Sequence, residues 1–255
     1  MMLNIVIPMA GRGSRFANAG FTDPKPFIRI DGVPMIELVI SNLRPSCPHR
    51  FIFICQQTHL KRYGFQHRLQ TLVPGCEIVG VPGLTEGAAC SVLTASDFID
   101  NPEPLLIANA DQWVDVNVDD FLMVAARNET DGLIMTMPSN SPKWSYVRHD
   151  AAGRVCQVVE KTVVSDEATV GIYHFRRGSD FCREAKAMIM ANERSQGEFY
   201  VAPVYTRLYN AGQTAIKTCN IGNSMHGLGT PEDLAGFLQS PALPLALGSV
   251  RETAA

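Results

Sequence analysis

A strand that empties into a glycine loop constrains this chain more than any other feature. Ile5, Val6 and Ile7 form an apolar run that stops at Pro8, and Ala10-Gly11-Arg12-Gly13-Ser14 follows. A buried strand of this kind belongs to an α/β sheet, whose anion sites lie beyond the carboxyl ends of the strands. Gly11 and Gly13 permit positive φ and place no Cβ between the backbone N–H groups and a phosphate. Arg15 offers a planar fork and Lys25 a compact point charge. Pro24 and Pro26 flank Lys25 and restrict its backbone, so its stem can be aimed. The stretch reads as a polyphosphate site.

Spacing excludes two better-known glycine loops. Phe16 stands where G-x-G-x-x-G needs its third glycine, and Phe16-Ala17 break G-x-x-x-x-G-K-[ST]. A plain tight turn would use the same glycines. Arg15 and the run Asp23-Pro24-Lys25-Pro26 are what argue for phosphate.

The 255 residues, 46% hydrophobic and 18% charged, suit one large α/β domain. A net charge of −3 gives no electrostatic case for nucleic acid or an anionic membrane surface. No apolar run is long enough to span a membrane and no basic region precedes the first strand, so a cytoplasmic protein is expected. The seven cysteines are scattered without C-x-x-C, and the six histidines form no H-E-x-x-H. A disulfide framework and a zinc site are therefore not expected.

Strands at 3–8, 51–55, 77–81, 105–108 and 133–137 alternate with helical stretches beginning at Pro34 and covering 57–69, 85–97 and 119–128. That alternation implies right-handed crossovers and a mainly parallel sheet. The second half differs. Residues 144–148 and 154–159 read as a hairpin, 169–176 as a strand, 181–191 and 201–210 as helices, and 214–218 as a strand. Thr230-Pro231 starts another helix, with Thr230 as N-cap. From Gln239 the chain is small-residue and aperiodic, so a domain over 1–238 and a loose tail over 239–255 are expected.

Several residues carry two readings. Asp111 follows strand 105–108 directly, where a carboxylate suits a divalent cation bridging phosphates, though a turn cap would use it equally well. Asp115 reads as a second ligand or a cap, the cap being favoured. Thr85-Glu86-Gly87-Ala88 reads as a helix start, with Thr85 as cap and Glu86 favoured by the dipole. Glu160-Lys161 in isolation is a solvated pair at a strand end.

Gly11-x-Gly13-x-Arg15 followed by Pro24-Lys25-Pro26 resembles the signature of the sugar-phosphate nucleotidyltransferases, the pyrophosphorylases that make nucleotide sugars, and of their cytidylyltransferase relatives. Asp111, Glu160-Lys161 and Val170-Gly171-Ile172-Tyr173 follow in the family's order. The resemblance implies a single three-layer Rossmann-like α/β domain of the GT-A-like nucleotidyltransferase type, with a mainly parallel mixed sheet. It also implies transfer of a nucleotidyl group from a nucleoside triphosphate to a sugar 1-phosphate or similar phosphorylated small molecule. Mg²⁺ or Mn²⁺ would be the cofactor, nucleotide-sugar and surface-polysaccharide biosynthesis the setting, and a homo-oligomer is compatible.

By position, the resemblance assigns Ala10, Gly11, Gly13, Glu86 and Gly87 to the nucleotide, with 85–88 reading the base. It assigns Arg15 to the β- and γ-phosphates, Lys25 to the α-phosphate and Asp111 to the metal, although Ala110 replaces the usual preceding glycine. Glu160 would accept from sugar hydroxyls, Lys161 would contact the sugar phosphate, Gly171 lies in the sugar-side strand, and Glu198 and Tyr200 would wall the pocket.

One departure stands out. Many relatives carry a second metal-binding Asp in Trp-x-Asp-x-Gly-Thr, and this chain has Met225-His226-Gly227-Leu228-Gly229-Thr230, with Gly227 at that place. Replacement by His226, replacement by water and a different chemistry all stay open. Two other functions stay open with them. A GT-A-type glycosyltransferase would need D-x-D, for which Asp115-Val116-Asn117 is a partial match, and would have no use for Arg15 plus Lys25. A non-catalytic nucleotide-binding regulator is the second.

Overall fold

Ile5, Val6 and Ile7 are fully buried, so the strand that carries them (β1, Leu3–Pro8) must lie inside a sheet covered on both faces. The computed structural model describes residues 1–127 and 129–254 and places β1 in a nine-stranded sheet. After β1 come α1 (Ser14–Asn18), a 3₁₀ turn (Lys25–Phe27), a short antiparallel pair β2 (Arg29–Ile30) and β3 (Val33–Pro34), and α2 (Met35–Leu43). β4 (His49–Gln56), α3 (Gln57–Tyr63), α4 (Phe65–Leu72), β5 (Glu77–Val81), α5 (Ala88–Leu93), α6 (Ser96–Ile99) and β6 (Leu105–Ala108) complete the parallel half. Then follow β7 (Gln112–Val114), α7 (Val118–Arg127), β8 (Gly132–Pro138), β9 (Ser145–His149), β10 (Val155–Glu160), β11 (Glu167–Phe175), α8 (Gly178–Met190) and α9 (Val204–Asn210). The chain ends with β12 (Ile216–Asn220), β13 (Met225–Gly227), α10 (Pro231–Leu238) and α11 (Ala242–Ala254).

The sheet runs β10-β9-β11-β6-β1-β4-β5, with β8 beside β11 and β12 beside β8. β6, β1, β4 and β5 are parallel, which brings the loops after β1 and β6 to one edge. β11 runs antiparallel to β6 and makes the sheet mixed. Alternation along β1 sends Ile5 and Ile7 into a core with α2, α4 and α7, and Val6 into a second core with α5, α8 and α9. Those two cores are the outer layers' attachment to the sheet. A third cluster joins Phe16, Met35, Trp113 and Leu228 to α10 and α11.

The sheet-edge ribbon of β7 and β13, in which Gly227 lies opposite Gln112, has no counterpart in the sequence reading. Three-residue strands show no periodicity. The helix expected over 57–69 divides at Gly64, which is left-handed (φ 63). The helix expected from Thr85 begins at Ala88 after Gly87 (φ 135), and Thr85 does not cap it. The Thr85 hydroxyl instead donates to the Gly87 carbonyl at 3.0 Å. Asp115 is not the cap of α7 either: Asn117 Oδ1 accepts from the Asp119 N–H at 2.8 Å. Asn128, the end of the helix expected over 119–128, lies outside the described residues.

The loose tail expected over 239–255 is corrected by α11, which packs on α2 and buries Ala242, Ala246, Leu247 and Val250. Small residues, Pro244 and Gly248 gave that face little hydrophobic contrast in the sequence. Deleting residues 242–255 is expected to destabilise the protein by roughly 2–4 kcal/mol, from the apolar side chains uncovered. Urea denaturation of the truncated chain checks this; an unchanged midpoint would restore the loose-tail reading.

Candidate active site

The loop after β1 is shaped by its second glycine. Gly13 is left-handed (φ 62) and heads α1, and a Cβ on it would stand 3.2 Å from Lys25 Cβ. A side chain there meets both backbone strain and a crowded neighbour. The Gln56 amide, from the end of β4, donates to the Ala10 carbonyl at 2.7 Å and fixes the start of the loop. Sequence reasoning missed Gln56, whose only signal was its place at a strand end. Ala10, Gly11, Gly13, Arg12 and Arg15 all line one cleft of about 800 Å³, with both arginines exposed.

Lys25 reaches this cleft from the 3₁₀ turn. Phe27 in that turn is buried and meets Phe65 edge-on at 4.5 Å, which anchors the turn to α4. The ammonium hydrogen-bonds to Asp111 Oδ2 from the loop beyond β6. Both groups are about a quarter exposed, at 23% and 29%. β1 and β6 are neighbours, so residues far apart in sequence meet at the sheet edge. Asn109, a second unforeseen residue, lines the cleft beside Asp111.

Loop 84–88 forms another wall. Gly87 is close-packed: a Cβ on it would run into the Phe199 backbone. The Phe199 N–H donates to the Glu86 carbonyl at 2.8 Å, and its own carbonyl accepts from Ala89 at 3.0 Å. Phe199 thereby straps the loop, and Glu198 lines the cleft. Glu86 does not line it. Its carboxylate pairs with Arg194 and is 67% exposed, so the structure turns it away from the cleft. Thr85 and Ser91, with hydroxyls 2.6 Å apart, occupy the wall instead.

Glu160 and Lys161 lie at the end of β10, outside the residues lining the cleft but within electrostatic reach of Glu198. Ser145 donates to the buried Glu160 carboxylate. Lys161 holds a left-handed backbone (φ 54), unusual for a long side chain, and donates to the Tyr200 hydroxyl at 2.6 Å. That bond raises the Lys161 pKa against the opposing effect of burial. Gly171 (φ 88) sits where β11 breaks register with β8, and a Cβ on it would collide with Asn109.

His226 does not take the place of the missing Asp. Its ring packs against Trp113 and Phe237, each at 5.6 Å, and burial lowers its pKa. The donor chemistry still fits a divalent cation. A Cβ on Gly229 would stand 3.0 Å from Asp111 Oδ2 and 3.9 Å from Asp233 Oδ2, so two carboxylates converge where only a glycine leaves room. Among the described residues no three His, Cys, Asp or Glu side chains cluster, but Mg²⁺ uses one or two protein carboxylates and takes the rest from water and phosphates.

The protein is an α/β fold whose glycine loop, two exposed arginines and lysine–carboxylate pair, at the carboxyl edge of the parallel strands, have the chemistry that suits an anion. A family model described as Nucleotidyl transferase matches residues 5–237, and the chain belongs to that family. The nucleoside-diphosphate-sugar pyrophosphorylase of Vibrio cholerae RC9 superposes with a TM-score of 0.77 at 25% identity, covering 92% of this chain and all of that one. A UDP-glucose pyrophosphorylase complexed with UDP-glucose shares the fold, with a TM-score of 0.73 at 15% identity, covering 93% of this chain and 97% of that one. The bifunctional protein GlmU of Ralstonia pickettii is 26% identical over an alignment of 222 residues that covers 82% of this chain and 45% of GlmU. The chain thus spans about half the length of the curated relatives it matches. Among the described residues no helix is long and apolar enough to cross a membrane.

Burial raises the Glu160 pKa, only partly opposed by Ser145 and Lys161. An acid with a raised folded-state pKa favours folding when protonated; its ionisation costs stability above that pKa and costs nothing below the unfolded value. Glu160→Gln is therefore expected to melt higher than the wild type near pH 8, with the gap closing as pH falls toward about 4. Thermal denaturation across that range checks the sign.

Proposed function

We propose that the protein joins a nucleoside triphosphate to a sugar 1-phosphate, or a similar phosphorylated small molecule, and releases pyrophosphate. The observation that carries this reading is the Lys25–Asp111 pair beside the glycine loop, with Arg15 in the same cleft. A phosphate oxygen of the acceptor attacks the α-phosphorus in line, the new O–P bond forms, and the bond to the β-phosphate oxygen breaks. The acceptor phosphate is already ionised, so no general base is required. Catalysis is then positioning and charge neutralisation.

Arg15 is assigned to the β- and γ-phosphates, which leave together as pyrophosphate. Lys25 is assigned to the α-phosphate, where negative charge builds in the transition state. Its bond to Asp111 keeps the ammonium at the cleft floor until phosphate oxygens compete for it. Asp111 would hold Mg²⁺ or Mn²⁺, which when bound supplies charge neutralisation on the phosphates. The loop around Gly87 admits the base, and Thr85 and Ser91 offer hydroxyls to its edge. Glu160, Lys161, Tyr200 and Glu198 form the acceptor side, with Gly171 keeping Asn109 in place. Glu86 has no assigned role, because Arg194 holds it at the surface. Similarity to the nucleoside-diphosphate-sugar pyrophosphorylase of Vibrio cholerae supports a nucleotide-sugar product, and the family match weighs against a glycosyltransferase. A cytoplasmic setting, where nucleoside triphosphates are found, belongs to the same proposal.

Pyrophosphate release measured with four nucleoside triphosphates against a panel of sugar 1-phosphates tests the reading. Release that depends on one acceptor and consumes it is the expected result. Lys25→Ala is expected to lose on the order of 10²–10³ in kcat, as for removal of one transition-state donor. Near-normal turnover in that variant would sink the assignment.

A further inference from the structure

The carboxylate that many relatives place in the strand is absent at Gly227, and Asp233 fills the space it would use. A Cβ on Gly227 would lie 3.6 Å from Asp233 Cγ and 3.7 Å from its Oδ2. Gly227 sits in β13 without a left-handed φ, so a side chain there would be aimed at the Asp233 carboxylate. The same Oδ2 lies 3.9 Å from the Cβ position of Gly229, and Asp111 Oδ2 lies 3.0 Å from that point. Two carboxylates from different elements, the loop after β6 and the first turn of α10, therefore converge on one glycine.

Helix capping does not account for the Asp233 carboxylate. Asp233 contributes its backbone N–H to the Thr230 hydroxyl at 3.0 Å, which is the half of the cap that needs no carboxylate. In the reciprocal capping box the third residue's side chain would accept the N-cap N–H. Among the described residues no hydrogen bond is donated to the Asp233 carboxylate. Its charged neighbour is Lys143, whose ammonium is 3.9 Å from Oδ1, on a side chain 57% exposed.

A separate observation comes from the strand opposite. Gln112 is directly opposite Gly227 across the β7–β13 pair, so the two residues share a face. Gln112 is buried; its Oε1 accepts from Asn109 Nδ2 at 3.3 Å, and among the described residues its Nε2 has no hydrogen-bond partner. An unpaired buried amide donor is costly, and an oxygen ligand within its reach would satisfy it. A cation-bound water or a substrate phosphate oxygen supplies such an acceptor.

We propose that Asp233 replaces the carboxylate missing at position 227, so that Asp111 and Asp233 together hold the divalent cation in this chain. The acidic ligand has moved from the strand to the helix that follows it, with Gly227 and Gly229 leaving the space between. Lys25 and Lys143 balance the two carboxylates from outside. The inference rests on the nucleotidyl-transfer reading for the use of the cation, not for its binding.

Mn²⁺ alone, titrated into the full chain and followed by the electron paramagnetic resonance of the free ion, tests it. Asp233→Asn is expected to weaken Mn²⁺ binding at least about tenfold, since even outer-shell partners of metal ligands cost that much. Its melting temperature in EDTA is expected to match the wild type. The double variant Gly227→Asp with Asp233→Asn, which returns the carboxylate to the strand, is expected to regain the affinity. Wild-type affinity in Asp233→Asn overturns the proposal. So does a loss that the double variant fails to restore, or a wild type that binds no Mn²⁺. A protein that binds Mn²⁺ through Asp233 but releases no pyrophosphate overturns the proposed function and leaves this inference standing.

Discussion

The ion pair between Lys25 and Asp111 ties the cleft together. It links a 3₁₀ turn that follows the glycine loop to the residue beyond a neighbouring strand, 86 positions away in sequence. The strands supply the proximity, because β1 and β6 are adjacent and parallel and end at the same edge. Burial of Phe27 holds the turn, and Gly13 allows the Lys25 stem to pass at close range. Each charge is partly withdrawn from water and neutralised by the other, so neither needs an additional partner to be tolerated there. That arrangement sets a cation and a carboxylate at the floor of the cleft.

The two halves of the sheet divide the labour. The parallel half offers loops at one edge, and these carry the glycines, arginines and Asp111. The antiparallel half brings Glu160 and Lys161 toward the same edge from the end of a hairpin, with Glu198 as the common neighbour. Phe199, between α8 and α9, is tied by backbone hydrogen bonds to the wall that contains Gly87. Glycine is required at position 87 because another backbone passes there, a reason distinct from any contact with a base. Structural support and ligand access are met by the same absence of a side chain.

Much of the frame was legible from local chemistry. Strand 3–8 matches β1, and the hairpin, Thr230 cap and strand-end position of Asp111 follow from patterns of a few residues. The misses share a cause. β7 and β13 are too short to show periodicity and exist because each pairs with the other. α11 shows weak contrast along its sequence and is defined by the surface of α2 beneath it. Glu86 had the right neighbours for a base-reading residue, but Arg194, distant in sequence, captures its carboxylate. His226 was one candidate for the missing ligand, and its aromatic neighbours Trp113 and Phe237 hold it elsewhere.

By itself the sequence determined the strand–glycine loop–lysine unit, because turn geometry, anion binding and restricted backbone are properties of residues close together in the chain. It also determined that a carboxylate would follow a buried strand at Asp111. Only the tertiary structure decided which groups face each other: Lys25 with Asp111, Glu86 with Arg194, and Asp233 with the space beside Gly227. Distances across a sheet edge depend on strand order and helix placement, which no local spacing encodes. The absence of Asp at 227 was visible in the sequence, and the carboxylate standing next to that position was not.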